Sequence, residues 1–180
     1  TEGSQMPTDK ERITLEEAAR KIRGVYPQKQ NDLFMQRTKI PAGRLSWKQF
    51  ATIAELARDY TAAPVHITTR QDIELHYVKA ADTPAIQNAL ADVGISTYGA
   101  CGDYLRNVTV APPCAQCENQ PDLVPLAEAI NDHITAQPFV NDLPRKFKIS
   151  LSSCQHALAK PWINDLGFIA KHDGSFTVIA

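Results

Sequence analysis

At 180 residues, 43% of them apolar, the chain has the material for one ordinary domain or two small ones, and it is too short for a long multidomain enzyme. Nineteen Lys and Arg against 20 Asp and Glu leave a formal net charge of -1, which excludes a protein that coats nucleic acid and requires any anion site to be a local concentration of positive charge. Four cysteines are too few for a disulfide-built scaffold, no stretch approaches the roughly 20 apolar residues that span a bilayer, and Thr1 to Lys10 lacks the apolar core of a signal peptide. A soluble cytoplasmic protein with no membrane or nucleic-acid partner is the expectation.

The first ten residues are polar and read as loose. Thr14 with Glu17 then makes a capping-box pattern ahead of Leu15, Ala18, Ala19 and Ile22, predicting a helix that ends at Gly24. Residues 25 to 32 read as a connector, and Leu33 to Ile40 as a strand stopped by Pro41-Ala42-Gly43. Ser46 and Gln49 form a second capping box, with Trp47, Phe50, Ala51, Ala54 and Ala57 on one face, so a helix is expected over about residues 46 to 60. Pro64 to Arg70 and Asp72 to Val78 alternate with period two, as paired strands do. In the second, Asp72, Glu74 and His76 share the face opposite Ile73, Leu75 and Tyr77. Thr83 and Pro84 open a helix whose stripe is Ile86, Leu90 and Val93, and Gly94 ends it. Strand, helix, strand, strand, helix is most of a ferredoxin-like unit.

Beyond Tyr98-Gly99-Ala100-Cys101-Gly102, Leu105 to Val110 reads as a strand ending at Pro112-Pro113. Asp122 starts a helix carrying Leu123, Leu126, Ala127, Ile130 and Ile134. From Arg145 to Leu151 the pattern alternates again, with Lys146, Lys148 and Ser150 on one face and Phe147, Ile149 and Leu151 on the other. Leu166 to Ala180 predicts a hairpin turning at His172-Asp173-Gly174-Ser175. The fold class is therefore α+β: a ferredoxin-like βαββα half-domain followed by a mixed α/β portion.

Two lysines at i and i+2 on a strand stand about 7 Å apart and can hold an anion between them, although a solvated strand face is the plainer reading of that spacing alone. Arg70 and Arg106 each lie at a strand end, where an arginine is usually a surface charge. If the two arginines and two lysines converge, they create a strong local potential. Cys114-Ala115-Gln116-Cys117 is a C-x2-C that could start a zinc or iron-sulfur site with Cys101 and Cys154, or serve as a redox dithiol. Reduced unpaired thiols are the favoured reading, so no metal ligand is assigned. The five histidines show no metal-ligand spacing.

Four blocks now fall in order: Met35-Gln36-Arg37-Thr38-Lys39-Ile40-Pro41-Ala42-Gly43, Thr69-Arg70-Gln71-Asp72-Ile73-Glu74-Leu75-His76, Arg106-Asn107-Val108, and Leu143-Pro144-Arg145-Lys146-Phe147-Lys148. Together they resemble the siroheme-dependent sulfite and nitrite reductases, from about residue 32 to the C-terminus. The resemblance divides the chain into an N-terminal arm and helix (1–31), a nitrite/sulfite reductase ferredoxin-like half-domain (32–100), and the N-terminal part of the siroheme and [4Fe-4S] domain (101–180). It implies six-electron reduction of sulfite to sulfide, or nitrite to ammonia, with electrons from a donor protein or reductase subunit. It further implies that Arg70, Arg106, Lys146 and Lys148 surround the anion as catalytic residues, and that Arg37, Lys39, Gln71, Asn107 and Arg145 contact siroheme, whose many carboxylates require such partners. Assimilatory nitrite reductases of this family often carry Asn where Lys148 stands, which favours sulfite.

The family binds its cluster through C-x5-C and C-x3-C, and neither spacing occurs among Cys101, Cys114, Cys117 and Cys154. The resemblance therefore implies that the cluster ligands lie outside this chain, that the chain is a truncated or split N-terminal portion, and that it is inactive without the missing C-terminal half. Two alternatives stand beside it: a precorrin-3B synthase-like enzyme, and a non-catalytic ferredoxin-like anion-binding module.

Overall fold

The computed structural model describes residues 9–61 and 63–180, and two four-stranded sheets organise them. Helix α1 (Asp9–Ile22) begins ahead of the expected capping box, so Thr14 lies inside it, and Asp9 and Lys10 are already helical. The rest of the expected loose segment lies outside the described residues. Gly24, at φ +76°, turns the chain out of the helix and into β1 (Val25–Pro27), a strand where a connector was expected.

The first sheet has the order β1, β2 (Leu33–Arg37), β4 (Ile73–Lys79), β3 (His66–Ile67), with every neighbour antiparallel. With α2 (Trp47–Tyr60) between β2 and β3, and α3 (Thr83–Asp92) after β4, this is the expected βαββα unit. The remaining edge is closed by β1 from upstream in the chain. Helix α2 starts where expected, at the Ser46–Gln49 capping box, whose two reciprocal hydrogen bonds are both formed. Its buried side is not the expected one: Ile53 and Leu56 are in the core, whereas Trp47 is 80% and Phe50 53% exposed. Thr83 is the first residue of α3, and Asp82 holds the cap position. The core under this sheet joins Ile40, Ile53, Leu56, Ile73, Leu75, Val78, Ile86, Leu90 and Ile95.

Strict alternation on β4 fails at one place. Tyr77 takes φ +61°, the pairing with β2 shifts between Phe34 and Gln36, and Val78 rather than Tyr77 is buried. This is a bulge, which rotates the rest of the strand by one position. β3 is shorter than expected, and Ile67 on it is 70% exposed.

The second sheet has the order β5 (Thr109–Val110), β6 (Ile149–Ser152), β7 (Leu166–Ala170), β8 (Phe176–Ile179), and its first three strands are parallel. Because β6 lies between two parallel neighbours, all four of its residues are buried, and the expected alternation gives way to a continuous run. Phe147, expected inside, is 36% exposed on the approach to β6 and meets Leu105 only as an isolated bridge. β7 and β8 form the expected hairpin. Helix α4 (Val124–Thr135) covers the sheet through Leu123 and Ala127, in a core with Val108, Val140 and Leu151.

Candidate basic site between the sheets

The two sheets meet along a polar seam in which side-chain amides substitute for strand pairing. Asn107 Nδ2 donates to the carbonyls of Ile40 (2.6 Å) and Arg70 (2.8 Å). Gln71 Nε2 donates to Val110 O at 2.6 Å, and its Oε1 accepts from Val110 N at 3.0 Å. Gln71 holds this position at φ +64°, and a Cβ on Gly43, which itself has φ +68°, would come within 2.7 Å of Gln71 Cβ. Only glycine permits that approach.

A cavity of about 370 Å³ opens beside the seam. From the first sheet it is lined by Arg37, His66, Arg70, Asp72 and Glu74, and from the second unit by Arg106, Lys146 and Lys148. Parallel pairing explains the convergence from the second unit: Arg106 precedes β5 and the lysines precede β6, so all three stand at the same end of the sheet. The turn after Pro161 completes this end. Asp165 Oδ2 accepts from Lys148 N at 2.8 Å, and Asn164 Oδ1 accepts from Arg70 Nη1 at 2.7 Å. Arg70 Nη2 also donates to the carbonyls of Asn107 (2.5 Å) and Ile149 (3.1 Å), which anchors its head group in the seam. Arg106 Nη1 donates to Ala100 O. The Nε atoms of Arg70 and Arg106 are buried and have no partner.

Five cationic side chains thus face two carboxylates, and one carboxylate is already engaged. Glu74 Oε1 accepts from Arg37 Nε at 2.8 Å and Nη2 at 2.5 Å, while His66 Nδ1 (2.7 Å) and His76 Nε2 (3.0 Å) approach its other oxygen. Burial opposes ionisation of Glu74, but the hydrogen bonds from His66 and Arg37 prevail and hold it below the usual carboxylate range. Asp72 behaves oppositely. Burial pushes it up to about 7 against the hydrogen bond from Ile40 N, which its Oδ1 accepts at 3.0 Å. Burial also lowers the Arg70 and Arg106 guanidinium groups from their ordinary values.

Of the residues singled out in the sequence, Arg37, Arg70, Arg106, Lys146 and Lys148 come together in this cavity. Lys39, Gln71, Asn107 and Arg145 do not line it. Lys39 is 4% exposed on another groove with Glu128 and Asp132, and its burial lowers it to about 8. The amides of Gln71 and Asn107 are committed to the seam, and Arg145 is exposed. Asp72, Glu74 and His66 were not singled out. The alternation along β4 already placed Asp72 and Glu74 on one face, and that was the available signal.

A second cluster lies at the opposite end of the parallel strands. The sulfurs of Cys114, Cys117 and Cys154 are within 4.8 Å of one another, and Cys101 is not among them. Cys101 is buried near Arg37 and Arg106, and burial raises its thiol. The backbone N–H of Gln116 holds the Cys114 thiol below its ordinary value, whereas burial pushes Cys117 up to about 12.

Residues 26–93 match the family model of the nitrite/sulfite reductase ferredoxin-like half domain, and residues 101–178 that of the nitrite and sulphite reductase 4Fe-4S domain. The chain is 34% identical over 160 residues to an assimilatory ferredoxin-dependent nitrite reductase of Haloferax mediterranei, an alignment covering 82% of this chain and 27% of the relative. It is 31% identical over 137 residues to a ferredoxin sulfite reductase of Mycobacterium tuberculosis, covering 76% and 24%. The solved NirA protein of M. tuberculosis superposes with a TM-score of 0.75 at 26% identity, over 88% of this chain and 33% of that one. Dissimilatory sulfite reductase I shares the fold, with a TM-score of 0.65 at 17% identity. The chain spans about a quarter to a third of these proteins.

Proposed function

Because the chain belongs to the nitrite and sulfite reductase family, joining its ferredoxin-like half domain to residues of its 4Fe-4S domain, we propose that the basic cavity is the oxyanion site of a six-electron reductase of sulfite or nitrite. The carrying observation is the convergence of Arg70, Arg106, Lys146 and Lys148, from three separate blocks of sequence, on one cavity in a chain whose net charge is -1. The buried, unpartnered Nε atoms of Arg70 and Arg106 are donors that a bound anion satisfies. Sulfite is the favoured substrate, on the presence of Lys148.

The same surface suits siroheme. Arg37, Arg106, Lys146 and Lys148 offer charge-assisted donors to its carboxylates, and the group, when bound, supplies the iron at which electrons reach the anion. The chain's own residues do the electrostatic work. The lysines draw the anion in, and the arginines, fixed by backbone carbonyls, neutralise it without reorganising. Departure of each oxygen as water consumes two protons. Asp72, held near neutrality inside the cavity wall, stores one of them. The four-iron cluster is another matter: C-x5-C and C-x3-C are absent from the sequence, and three thiols rather than four come together. The electron donor is of the reduced ferredoxin or NADPH-linked class, and the active enzyme includes a counterpart of the relatives' uncovered length.

The test is to purify the chain, fused to the uncovered remainder of the Haloferax relative, from cells making siroheme. The fusion should carry the tetrapyrrole and oxidise a reduced dye when given sulfite or nitrite. Charge reversal, Lys146→Glu or Lys148→Glu, should lower turnover about 100-fold or more with the tetrapyrrole retained. A fusion that folds without the tetrapyrrole, or charge-reversed variants with unchanged turnover, would overturn the reading.

A further inference from the structure

The three-cysteine cluster lies at the other end of the parallel sheet from the basic cavity and takes no part in the reading above. Thr109 pairs with Ser150 and Val110 with Leu151, so β5 and β6 finish side by side. Cys114 follows Val110 by four residues, and Cys154 follows Leu151 by three. The parallel register therefore delivers a C-x2-C loop and a third thiol, 37 residues downstream of Cys117, to one point. The carboxyl ends of parallel strands are where open α/β sheets commonly build ligand sites.

The loop is held in shape before any ligand arrives. Cys117 N donates to Cys114 O at 3.2 Å, closing the turn between the two cysteines. Gln120 then braces it from one side chain: Oε1 accepts from Cys114 N (2.8 Å) and Ser153 Oγ (2.8 Å), while Nε2 donates to the carbonyls of Cys114 (2.7 Å) and Cys117 (2.9 Å). Gln120 thus ties the C-x2-C loop to the segment carrying Cys154. Beyond the sulfurs lies a cavity of about 370 Å³, lined by Cys117, Cys154 and His156 among others.

We propose that Cys114, Cys117 and Cys154 bind a single thiophilic divalent ion, Zn(II), as a three-thiolate site whose fourth position faces this cavity. Ligands on one tetrahedral ion with metal–sulfur bonds of about 2.3 Å stand roughly 3.8 Å apart, which agrees with sulfurs all within 4.8 Å. Thiolates of a four-iron cluster attach to separate irons and stand farther apart, and that cluster ordinarily takes four cysteines. Bound there, the ion clips the C-x2-C loop to the end of β6 and leaves the basic end of the sheet unaltered.

The experiment uses the purified, reduced chain stripped with a chelator and titrated anaerobically with Co(II), then Zn(II). One equivalent of Co(II) should bind with thiolate-to-metal charge transfer and the intense visible bands of a tetrahedral site, and Zn(II) should displace it. Cys154→Ser should weaken binding at least about 100-fold, and Cys101→Ser should leave it unchanged. Where Cys154→Ser does not fold, alkylation followed by peptide mass analysis of the unaltered chain replaces it, and Zn(II) should shield Cys117 and Cys154 together. A six-coordinate Co(II) spectrum, equal dependence on Cys101, absence of shielding, or a four-iron cluster assembled on these thiols from iron and sulfide in preference to Zn(II) would each overturn the proposal.

Discussion

At the scale of single residues, the site is governed by what burial does to charge. Asp72 and Lys39 are both nearly inaccessible, and burial moves them in opposite directions, to about 7 and about 8. A carboxyl raised in the folded state binds a proton that the unfolded chain has released, so stability falls as pH rises from about 4 through 7. Asp72→Asn should remove most of that slope and make the protein more stable at pH 8 than the unaltered chain. Urea denaturation at pH 5 and pH 8 checks this, and an unchanged slope would contradict the assignment. In the fused enzyme the same variant should flatten the pH profile near neutrality. The charged residues of the cavity were legible in the sequence as members of ordered blocks. The fate of their neighbours was not: Gln71 and Asn107 stand in the same blocks, yet their amides are used up by backbone groups across the seam, a pairing that exists only once both sheets are folded.

At the scale of elements, capping chemistry was easier to read than facing. Ser46 and Gln49 marked the start of α2, because a capping box is a local hydrogen-bond pattern. The choice of buried side depended on the sheet. Ile53 and Leu56 won it over the bulkier Trp47 and Phe50, which stand in the first turn, exposed to solvent. Phe50→Glu should therefore change stability by no more than about 0.5 kcal/mol, and Ile53→Ala should cost about 2–4 kcal/mol, measured by chemical denaturation. β6 misled for a related reason: the alternation from Arg145 to Leu151 ignores that a strand between two parallel neighbours is buried on both faces. β7 supplies a sharper test. A Cβ on Gly167 would lie 2.2 Å from Pro161 Cβ, so Gly167→Ala must displace the turn that presents Asn164 to Arg70 and Asp165 to Lys148. That variant should lower the melting temperature and weaken anion binding together, although residue 167 does not line the cavity.

At the scale of the whole molecule, two small cores are held in register by side-chain bonds together with the backbone bond from Ala42 N to Val108 O and the packing of Ala42 on the second core, and the basic cavity lies at their junction. No helix among the described residues is long and apolar enough to cross a membrane. Asn107→Ala removes one buried and one half-buried hydrogen bond that join the units, at a cost of about 1–3 kcal/mol for the buried one, and should separate or broaden the unfolding transition seen by calorimetry. The order of strands and helices in each unit was readable from periodicity and turn residues. The junction was not, because it is made by contacts between residues about 40 to 95 positions apart.

The central claim, that Arg70 and Arg106 await an oxyanion brought in by Lys146 and Lys148, is tested most directly by following the arginine Nε–H resonances of the chain during titration with sulfite. Two resonances, assigned through Arg70→Lys and Arg106→Lys, should shift in saturable fashion, and the shifts should weaken with added salt and with Lys146→Ala plus Lys148→Ala. Resonances that stay in place, or that shift equally in the double-lysine variant, would contradict the account.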